Sequence, residues 1–482
     1  MTSCENPNVD KDVLMTRRQK FDGKTKVCVK CKENTGNIVI RYAVYCKSCF
    51  FPLIQTRFRK SLEPSINATP DGPRRKGLKA AGSLVVAFSG GTSSTALLDL
   101  VAKTYFAPRE NDEHARGGKE HPRNLDKQIW KGKPIVCYVD VSGAFPEEES
   151  RTENMRAVVD GYPGSPFEFL PLKLEDAFDK SWWAQTKGGD LSELGQSLGL
   201  DISDEAFYAA IKTLIRVLLL NTAAGRGASH LLLGTSLTSL SVNLISGIAQ
   251  GAGFSVAEEA NEEWVPRPSR GLTIRVLRPL RDIGMKECAM WDWWCGLRLV
   301  GSPRKYVHGG GRNSIGTLTR DFIFGLESDY PATVSTVART CAKLTPKEGS
   351  DGICVMCERP AQHGVQDWKS SISIRSYHEA SSAVTGRTRP PHLTEEEIAN
   401  LVKASPDSSS TPVPSLTPRL CYACHTTLTS RSSRGTTVLP SGQSLHAVPA
   451  PVWVRNAVAP DVKPLSRDSM KAQISEFLLD DD

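Results

Sequence analysis

The chain has 482 residues, 39% of them hydrophobic, and a net charge of +7. This length allows two or three domains with at least one sizeable core, and no apolar run approaches the ~18 residues of a membrane span. Eight of the 13 cysteines form four C-x-x-C pairs. The first residues lack the apolar core of a secretory leader, so we expect a soluble cytoplasmic protein whose paired thiols are reduced and bind metal.

Basic charge is concentrated at the start of the chain. Residues 1–79 contain 17 Lys and Arg against 7 Asp and Glu, a net charge of +10, which leaves −3 for the rest. Such a concentration is typical of a surface that binds a polyanion, because phosphate contacts release counterions; a solvated basic tail is the alternative. The candidate phosphate-binding side chains are Arg57, Arg59, Lys60, Arg74, Arg75 and Lys76.

Four cysteines within residues 1–79 have the spacing of a metal site. Cys28 and Cys31 are separated by 14 residues from Cys46 and Cys49, and the segment between them alternates like a hairpin. Four thiolates complete a tetrahedral zinc site with no open position, which predicts a structural role. Four buried free cysteines are the alternative, but so basic a segment has little core to fold around without metal.

Residues 80–345 have the pattern of an α/β domain. Short apolar runs alternate with helical stretches, which predicts a parallel, doubly wound sheet covered on both faces. The carboxyl ends of the strands should bring Asp140, the turn at residues 234–236 and Arg278 close to a Ser-Gly-Gly turn. The predicted strands are Leu84–Phe88, Ile135–Val141, Phe167–Leu172, His230–Gly234 and Leu272–Leu277.

The Ser-Gly-Gly turn has the form of a phosphate-binding loop. It follows the first predicted strand and precedes a helix, so its glycines and the helix N-terminus could present N–H groups to an anion. The loop residues are Ser89, Gly90, Gly91, Thr92, Ser93 and Ser94.

Residues 346–482 contain a second set of paired cysteines. Cys354 and Cys357 are separated by 63 residues from Cys421 and Cys424. Much of that gap, residues 381–418, is rich in Ser, Thr and Pro and predicts a disordered insertion. Because closing a long loop costs little, one further structural zinc site is expected here; the two histidines at positions 363 and 425 are possible substitute ligands. The acidic tail is either a docking peptide or a solvated end.

Several motifs together resemble a known family. They are YCKSCF at residues 45–50, VAFSGGTSS at 86–94, LLLGTSLTSLSVNLISGIAQGAG at 231–253, RPLRDI at 278–283, ICVMCERP at 353–360, LCYACH at 420–425 and EFLLDDD at the end. The combination resembles the tRNA thiolation enzymes of the PP-loop ATP pyrophosphatase superfamily, and most closely the cytoplasmic tRNA 2-thiolation protein 2 family. The resemblance covers nearly the whole chain apart from its insertions.

This sequence departs from the active enzymes of the superfamily at three places. Ser93 stands where their loop has a metal-binding Asp, and residues 234–239 read GTSLTS where they have an acidic GHNADD stretch. The segment AAIKTLIR, ending at Arg216, lacks their C-x-x-C pair. Adenylation needs metal-held phosphates, so these losses predict that the chain does not catalyse the reaction. The unpaired Cys137, Cys288 and Cys295 are expected to be buried core thiols, with sulfur transfer by Cys288 as the alternative.

The resemblance implies a non-catalytic subunit. It would form a heterodimer with the catalytic cytoplasmic tRNA 2-thiolation protein 1 and help it thiolate the wobble uridine of tRNA, with a thiocarboxylated ubiquitin-related modifier as sulfur donor. The six basic residues named above would bind the tRNA. Two alternatives stay open: a self-sufficient ATP-dependent thiolase, and a zinc-dependent nucleic-acid-binding protein with an inactive core. Whether ATP binds is left open.

Overall fold

A central six-stranded sheet organises the molecule. The computed structural model describes residues 27–66, 78–106, 129–145, 148–187, 197–198, 204–260, 262–266, 273–301, 314–344, 346, 350, 352–365, 419–429, 448–449 and 451–454. The strands are β1 (Ile38–Ile40), β2 (Ala43–Tyr45), β3 (Ser83–Ala87), β4 (Ile135–Asp140), β5 (Glu168–Lys173), β6 (Ser197–Leu198), β7 (Ala228–Leu233), β8 (Glu262–Trp264), β9 (Ile274–Leu277), β10 (Gly352–Ile353), β11 (Pro360–Ala361) and β12 (Val448–Pro449).

The sheet has the order β5-β4-β3-β7-β9-β8. The first five strands pair in parallel, and β8 pairs antiparallel with β9 at one edge. All five strands expected from the sequence are therefore present, and the predicted α/β class is confirmed. Strand β8 was not predicted, because it is only three residues long, begins with two glutamates and has no apolar run to mark it.

Helices and small sheets surround these strands. The α-helices are α1 (Lys47–Ile66), α2 (Thr92–Val101), α3 (Thr152–Asp160), α4 (Lys180–Lys187), α5 (Asp204–Gly225), α6 (Leu237–Ala249), α7 (Met285–Cys295), α8 (Ile315–Asp329), α9 (Pro331–Cys341) and α10 (Tyr422–Thr429). Among the described residues, no helix combines the length and apolar character needed to cross a lipid bilayer.

Both faces of the sheet are buried. In β3, Leu84 and Val86 pack with residues of α1, α2 and α7, whereas Val85 packs on the other face with residues of α5. Successive side chains of a strand point to opposite faces, so an uninterrupted apolar run such as Leu84–Val86 requires cover on both sides. The helices provide that cover, as expected of a doubly wound sheet.

The N-terminal module packs directly on the α/β core. One face of α1 is fully buried, and its members recur every four residues: Phe50, Ile54, Phe58, Leu62 and Ile66. The Phe50 ring lies 4.9 Å from the Trp294 ring, and the Phe58 ring lies 6.0 Å from the Tyr105 ring, centroid to centroid. The module and the α/β domain therefore share one hydrophobic core.

The C-terminal cysteines also share a core with the α/β domain. They pack with residues of α5 and with Trp182 and Trp183 of α4, and β12 pairs with β6. The domain boundaries after residues 79 and 345 stay predictions. The expected insertion at 381–418 and the acidic tail lie outside the described residues.

A buried acid on α7 makes the stability of this core depend on pH. Asp292 is only 3% exposed, and neither of its carboxylate oxygens has a hydrogen-bond partner among the described residues. Burial, with the charge of Asp99 adding to it, raises the pKa of Asp292 to about 8. The folded state therefore holds this proton where the unfolded chain has released it, and stability falls as pH rises from the ordinary aspartate pKa to about 8.

We expect Asp292→Asn to remove this loss of stability at alkaline pH. The variant should be more stable than the parent at about pH 9, with a Tm higher by roughly 2–4 °C for each kcal/mol of relief. The difference should narrow steadily as pH falls toward the ordinary aspartate pKa, below which Asp292 is neutral in both the folded and the unfolded chain. Thermal unfolding across this pH range is the measurement, with Asp160→Asn on the exposed end of α3 as control. A constant difference at every pH would contradict the assignment.

Candidate functional site

The predicted nucleotide loop joins β3 to α2, and its polar groups bond to one another. The Ser94 hydroxyl donates to the carbonyl of Gly91 at 2.9 Å. It accepts from the Ser89 hydroxyl at 3.1 Å and from the Ser89 N–H at 3.3 Å. Ser94 is buried, so its hydrogen-bonding capacity is taken up within the turn. The loop has the expected shape without an acidic residue.

The chain's own atoms pack tightly around Gly90. This residue has a φ of +67°, a conformation that favours glycine. Its carbonyl accepts hydrogen bonds from Val300 at 3.1 Å and Gly301 at 2.8 Å. A Cβ atom built on Gly90 would lie 2.4 Å from Cε of Met155. Glycine is therefore required here both by the backbone angle and by these neighbours.

The second predicted loop, residues 234–239, contacts the first. A Cβ atom on Gly234 would lie 2.6 Å from Cα of Ser94, so the two loops meet as the sequence analysis expected. Thr238 donates to Oε2 of Glu327 at 2.8 Å and accepts from the N–H of Met285 at 3.0 Å. Glu327, on α8, is a carboxylate at this loop that was not predicted, because 87 residues separate it from the end of GTSLTS.

Ser93 is partly buried and lies close to α7. Its side chain hydrogen-bonds the thiol of Cys288 on α7. Burial raises the pKa of Cys288 well above its usual value, and the bond from Ser93 opposes this only in part. The thiol is therefore kept in its neutral form, which is a poor nucleophile. The Ser93 side chain therefore contacts α7.

Two charged groups expected at the sheet's carboxyl edge already have partners. Asp140, the last residue of β4, accepts from the N–H of Ser142 at 3.0 Å and from the hydroxyls of Ser150 and Thr152. Burial by itself would raise the pKa of Asp140, but these donors outweigh it, so the pKa is lowered. The guanidinium of Arg278 lies 3.0 Å from Oε2 of Glu259, so neither group is directed at the loop.

The N-terminal cysteines form one compact group. Their sulfur atoms all lie within 4.8 Å of one another, and the Cys31 and Cys46 sulfurs are 3.8 Å apart. A zinc ion with Zn–S bonds of about 2.3 Å separates its sulfur ligands by about 3.8 Å, the edge of the tetrahedron. The hairpin of β1 and β2 and the first turn of α1 supply this arrangement. The donor set therefore fits one tetrahedral metal ion.

The C-terminal cysteines form a second group of the same kind. Despite the gap of 63 residues, all four sulfurs lie within 4.8 Å of one another, and those of Cys357 and Cys421 are 3.7 Å apart. His425, which was considered as a substitute ligand, lies outside the group, as does His363. The predicted pairing of the two distant C-x-x-C motifs thus brings four thiols to one place.

A buried cluster of arginines and glutamates lies beside the C-terminal cysteines. Arg359 lies 2.8 Å from Glu259, which also pairs with Arg278. Arg216 contacts Glu262 and donates to the carbonyl of Cys357. Arg216, at the end of the AAIKTLIR segment, therefore ties the C-terminal cysteines to α5 and to the edge strand β8. Burial lowers the pKa of Arg216 to about 9.

The predicted phosphate-binding residues have different surroundings. Arg59 and Lys60 are exposed on α1. Arg57 instead forms an ion pair with Glu287 at 3.1 Å, and burial raises the pKa of Glu287 to about 7 despite this pair. Arg74, Arg75 and Lys76 lie outside the described residues.

The unpaired cysteines differ in exposure. Cys137 and Cys288 are buried in the core. Cys295 is only partly buried, lies 3.2 Å from Nζ of Lys103 and lines a cavity, which the sequence analysis did not expect.

Comparisons with known proteins agree with the motif resemblance. A family model described as cytoplasmic tRNA 2-thiolation protein 2 matches residues 314–426. Curated proteins of that name from Danio rerio and Xenopus tropicalis are 23% and 24% identical, over 95% and 99% of both chains. The Homo sapiens protein is 26% identical over 76% of this chain and 77% of its own length. Among solved structures, the U34-tRNA thiolase NcsA from Methanococcus maripaludis with its 4Fe-4S cluster is 17% identical, with a TM-score of 0.44 over 66% of this chain and 87% of that chain.

The parallel sheet, the Ser-Gly-Gly turn between β3 and α2, and the two four-cysteine groups define an α/β protein with two candidate metal sites. Over nearly its whole length, the chain is similar to proteins of the cytoplasmic tRNA 2-thiolation protein 2 family.

Gly90→Ala should destabilise the protein more than an ordinary glycine substitution. A left-handed residue with a side chain costs about 1–2 kcal/mol, and the clash with Met155 adds to this. Gly132→Ala is the matched control, because Gly132 has a φ of +72° but no atom within 4 Å of a built Cβ. Urea unfolding measures both. Equal losses in the two variants would show that Met155 moves aside freely.

Replacing Cys354 and Cys357 together by Ser should remove one of two bound metal ions. Two thiolates are too few to complete a tetrahedral site, and much of the local folding energy comes from the metal. Elemental analysis of the purified chain is the measurement, with Cys341→Ser, a buried thiol outside both groups, as control. Unchanged metal content in the double variant would refute a metal site at these cysteines.

Proposed function

We propose that this chain is a non-catalytic subunit in the thiolation of the wobble uridine of cytoplasmic tRNAs. The observation that carries the proposal is the nucleotide loop itself. Its hydroxyl and carbonyl groups bond within the turn, Met155 and Gly301 pack against Gly90, and Ser93 is directed at Cys288. A loop of this kind keeps the strand-to-helix junction but has no carboxylate to hold a metal ion on phosphates.

The proposed partners follow from the family. The catalytic subunit would be cytoplasmic tRNA 2-thiolation protein 1, in a heterodimer with this chain, and a thiocarboxylated ubiquitin-related modifier would supply sulfur. The two groups of four thiols would each hold one structural zinc ion, which fits their all-sulfur donor set and spacing. The exposed Arg59 and Lys60 would contact tRNA phosphates, together with the basic residues that follow α1.

A self-sufficient thiolase is the second candidate, and Glu327 is the observation that favours it. Its carboxylate lies at the GTSLTS loop, 2.8 Å from the Thr238 hydroxyl, and so could in principle replace a lost acid. Against this, Thr238 also accepts a bond from the N–H of Met285, so this network ties α6 to α7 and α8.

The two candidates differ in how thiolation responds to loop variants. Each variant is expressed at matched level in cells whose own copy has been deleted, and 2-thiouridine in bulk tRNA is measured by mass spectrometry. We expect Ser93→Ala and Glu327→Gln to leave thiolation nearly intact, because neither side chain holds an essential metal. Gly90→Trp should abolish it by disrupting the fold. If Ser93→Ala or Glu327→Gln abolished thiolation while the protein stayed soluble, the proposal would be wrong and the loop would be catalytic.

The salt dependence of tRNA binding should distinguish basic side chains that contact tRNA phosphates from those that form ion pairs within the protein. Arg59→Ala and Lys60→Ala should each reduce the slope of log affinity against log salt by roughly 0.7–0.9, the value of one lost phosphate contact. Arg57→Ala should leave the slope unchanged and lower stability, because it leaves the buried Glu287 unpaired. Filter-binding titrations over a range of salt give the slopes; identical slopes for all three variants and the parent would reject phosphate contacts by α1.

A further inference from the structure

A cavity of about 510 Å³ opens between α2, α3 and the segment that follows α7. None of the loop residues 89–94 lines it, so it is separate from the predicted nucleotide loop. Its volume lies within the range of small-molecule sites. Most of the lining is apolar, and it includes the rings of Phe106 and Tyr162, both of which pack against Phe167.

The cavity has polar groups on the α2 side. Thr95 is 1% exposed, and its hydroxyl has no hydrogen-bond partner among the described residues. A buried hydroxyl without a partner is costly, and a ligand in the cavity would supply one. Asp99, one turn further along α2, is also buried; its carboxylate accepts from Nζ of Lys103 and from Nε1 of Trp291, each at 2.7 Å.

Two cationic side chains lie at the edge of the cavity. The Lys103 side chain is 44% exposed, with its amino group held by Asp99. Arg298, in the segment that follows α7, also lines the cavity and is exposed. A cavity with aromatic rings, a few hydrogen-bonding groups and cations at its edge matches a flat heterocycle that carries a phosphate.

We infer that this cavity binds one nucleoside phosphate, with the base against the aromatic wall and near Thr95, and with the phosphate near Lys103 and Arg298. The nucleotide comes either from the tRNA, as a single unstacked base, or from free solution. The assignment of the nucleotide to tRNA rests on the proposed function. The inference that the cavity binds a nucleoside phosphate does not. An unstacked base is the form in which proteins read RNA by stacking and by hydrogen bonds to the base edge.

Cys295 provides a reporter within the cavity. Its sulfur lines the cavity next to Lys103, so a bound nucleotide would shield it. The full-length chain is treated with iodoacetamide at mildly alkaline pH, and peptide mass spectrometry follows alkylation at Cys295. The probes are a tRNA transcript, uridine 5′-monophosphate and adenosine 5′-monophosphate. At ten times Kd, alkylation should slow by about tenfold, because only about one site in eleven remains open.

Two variants test whether protection arises in the cavity. Ala157→Trp fills its mouth from the exposed side of α3 and should abolish protection by the probe. Glu153→Trp, one turn earlier on α3 with an 85% exposed side chain, does not line the cavity and should retain protection. Thr95→Val keeps the shape and removes the hydroxyl, so it should fold normally and raise the probe concentration needed for half protection several-fold.

The outcomes separate this inference from the proposed function. Protection by the tRNA alone assigns the cavity to a tRNA base, and protection by a mononucleotide assigns it to a free nucleotide; both support the inference. Protection by a mononucleotide without any tRNA binding supports the cavity and contradicts the proposed function. If tRNA binds to the chain but neither tRNA nor a mononucleotide protects Cys295, or if Ala157→Trp keeps full protection, the inference is overturned.

Discussion

Two groups of four thiols connect the outer parts of the chain to its centre. Sulfur atoms 3.7–3.8 Å apart repel one another when ionised, and a cation between them turns that repulsion into attraction. At the N-terminus the group fixes the hairpin to the start of α1 and so directs a row of apolar side chains into the core. At the C-terminus it joins two segments that are distant in sequence and holds them against α5.

Buried charges around the C-terminal thiols join this segment to the α/β domain. Arg216 and Arg359 are buried beside it, paired with Glu259 and Glu262. Buried ion pairs contribute little net stability over an apolar core, but a buried charge left alone is strongly destabilising. The cluster therefore specifies one relative position of the C-terminal module and the α/β domain.

The loop between β3 and α2 is held in shape by packing and by its own hydrogen bonds. Gly90 and Gly234 are still required, because they allow two loops and a neighbouring segment to approach within contact distance. The polar side chains of the loop make contacts within the protein. Ser94 bonds within its own turn, and Ser93 contacts Cys288. Backbone geometry and packing thus account for the loop without any bound nucleotide.

The sequence by itself determined the parts that depend on local pattern. Five parallel strands were predicted because β-branched and apolar runs between helical stretches leave few other folds, and the glycines of the loop were predicted because their turn requires them. The grouping of Cys354 and Cys357 with Cys421 and Cys424 was predicted because most of the gap between the two pairs has the composition of an insertion, and closing a long loop costs little. The short edge strand β8 was missed, because three residues that include two glutamates have no apolar signature.

Only the tertiary structure decided which polar groups face each other, because such contacts join residues far apart in the chain. Arg57 is followed by a basic stretch in the sequence, yet in space its partner is Glu287, 230 residues away. Glu327 reaches the GTSLTS loop from α8, and Cys295, at the edge of the core, also lines a cavity. Composition and periodicity report which face of an element is buried, but the partners on that face are set by how the elements pack.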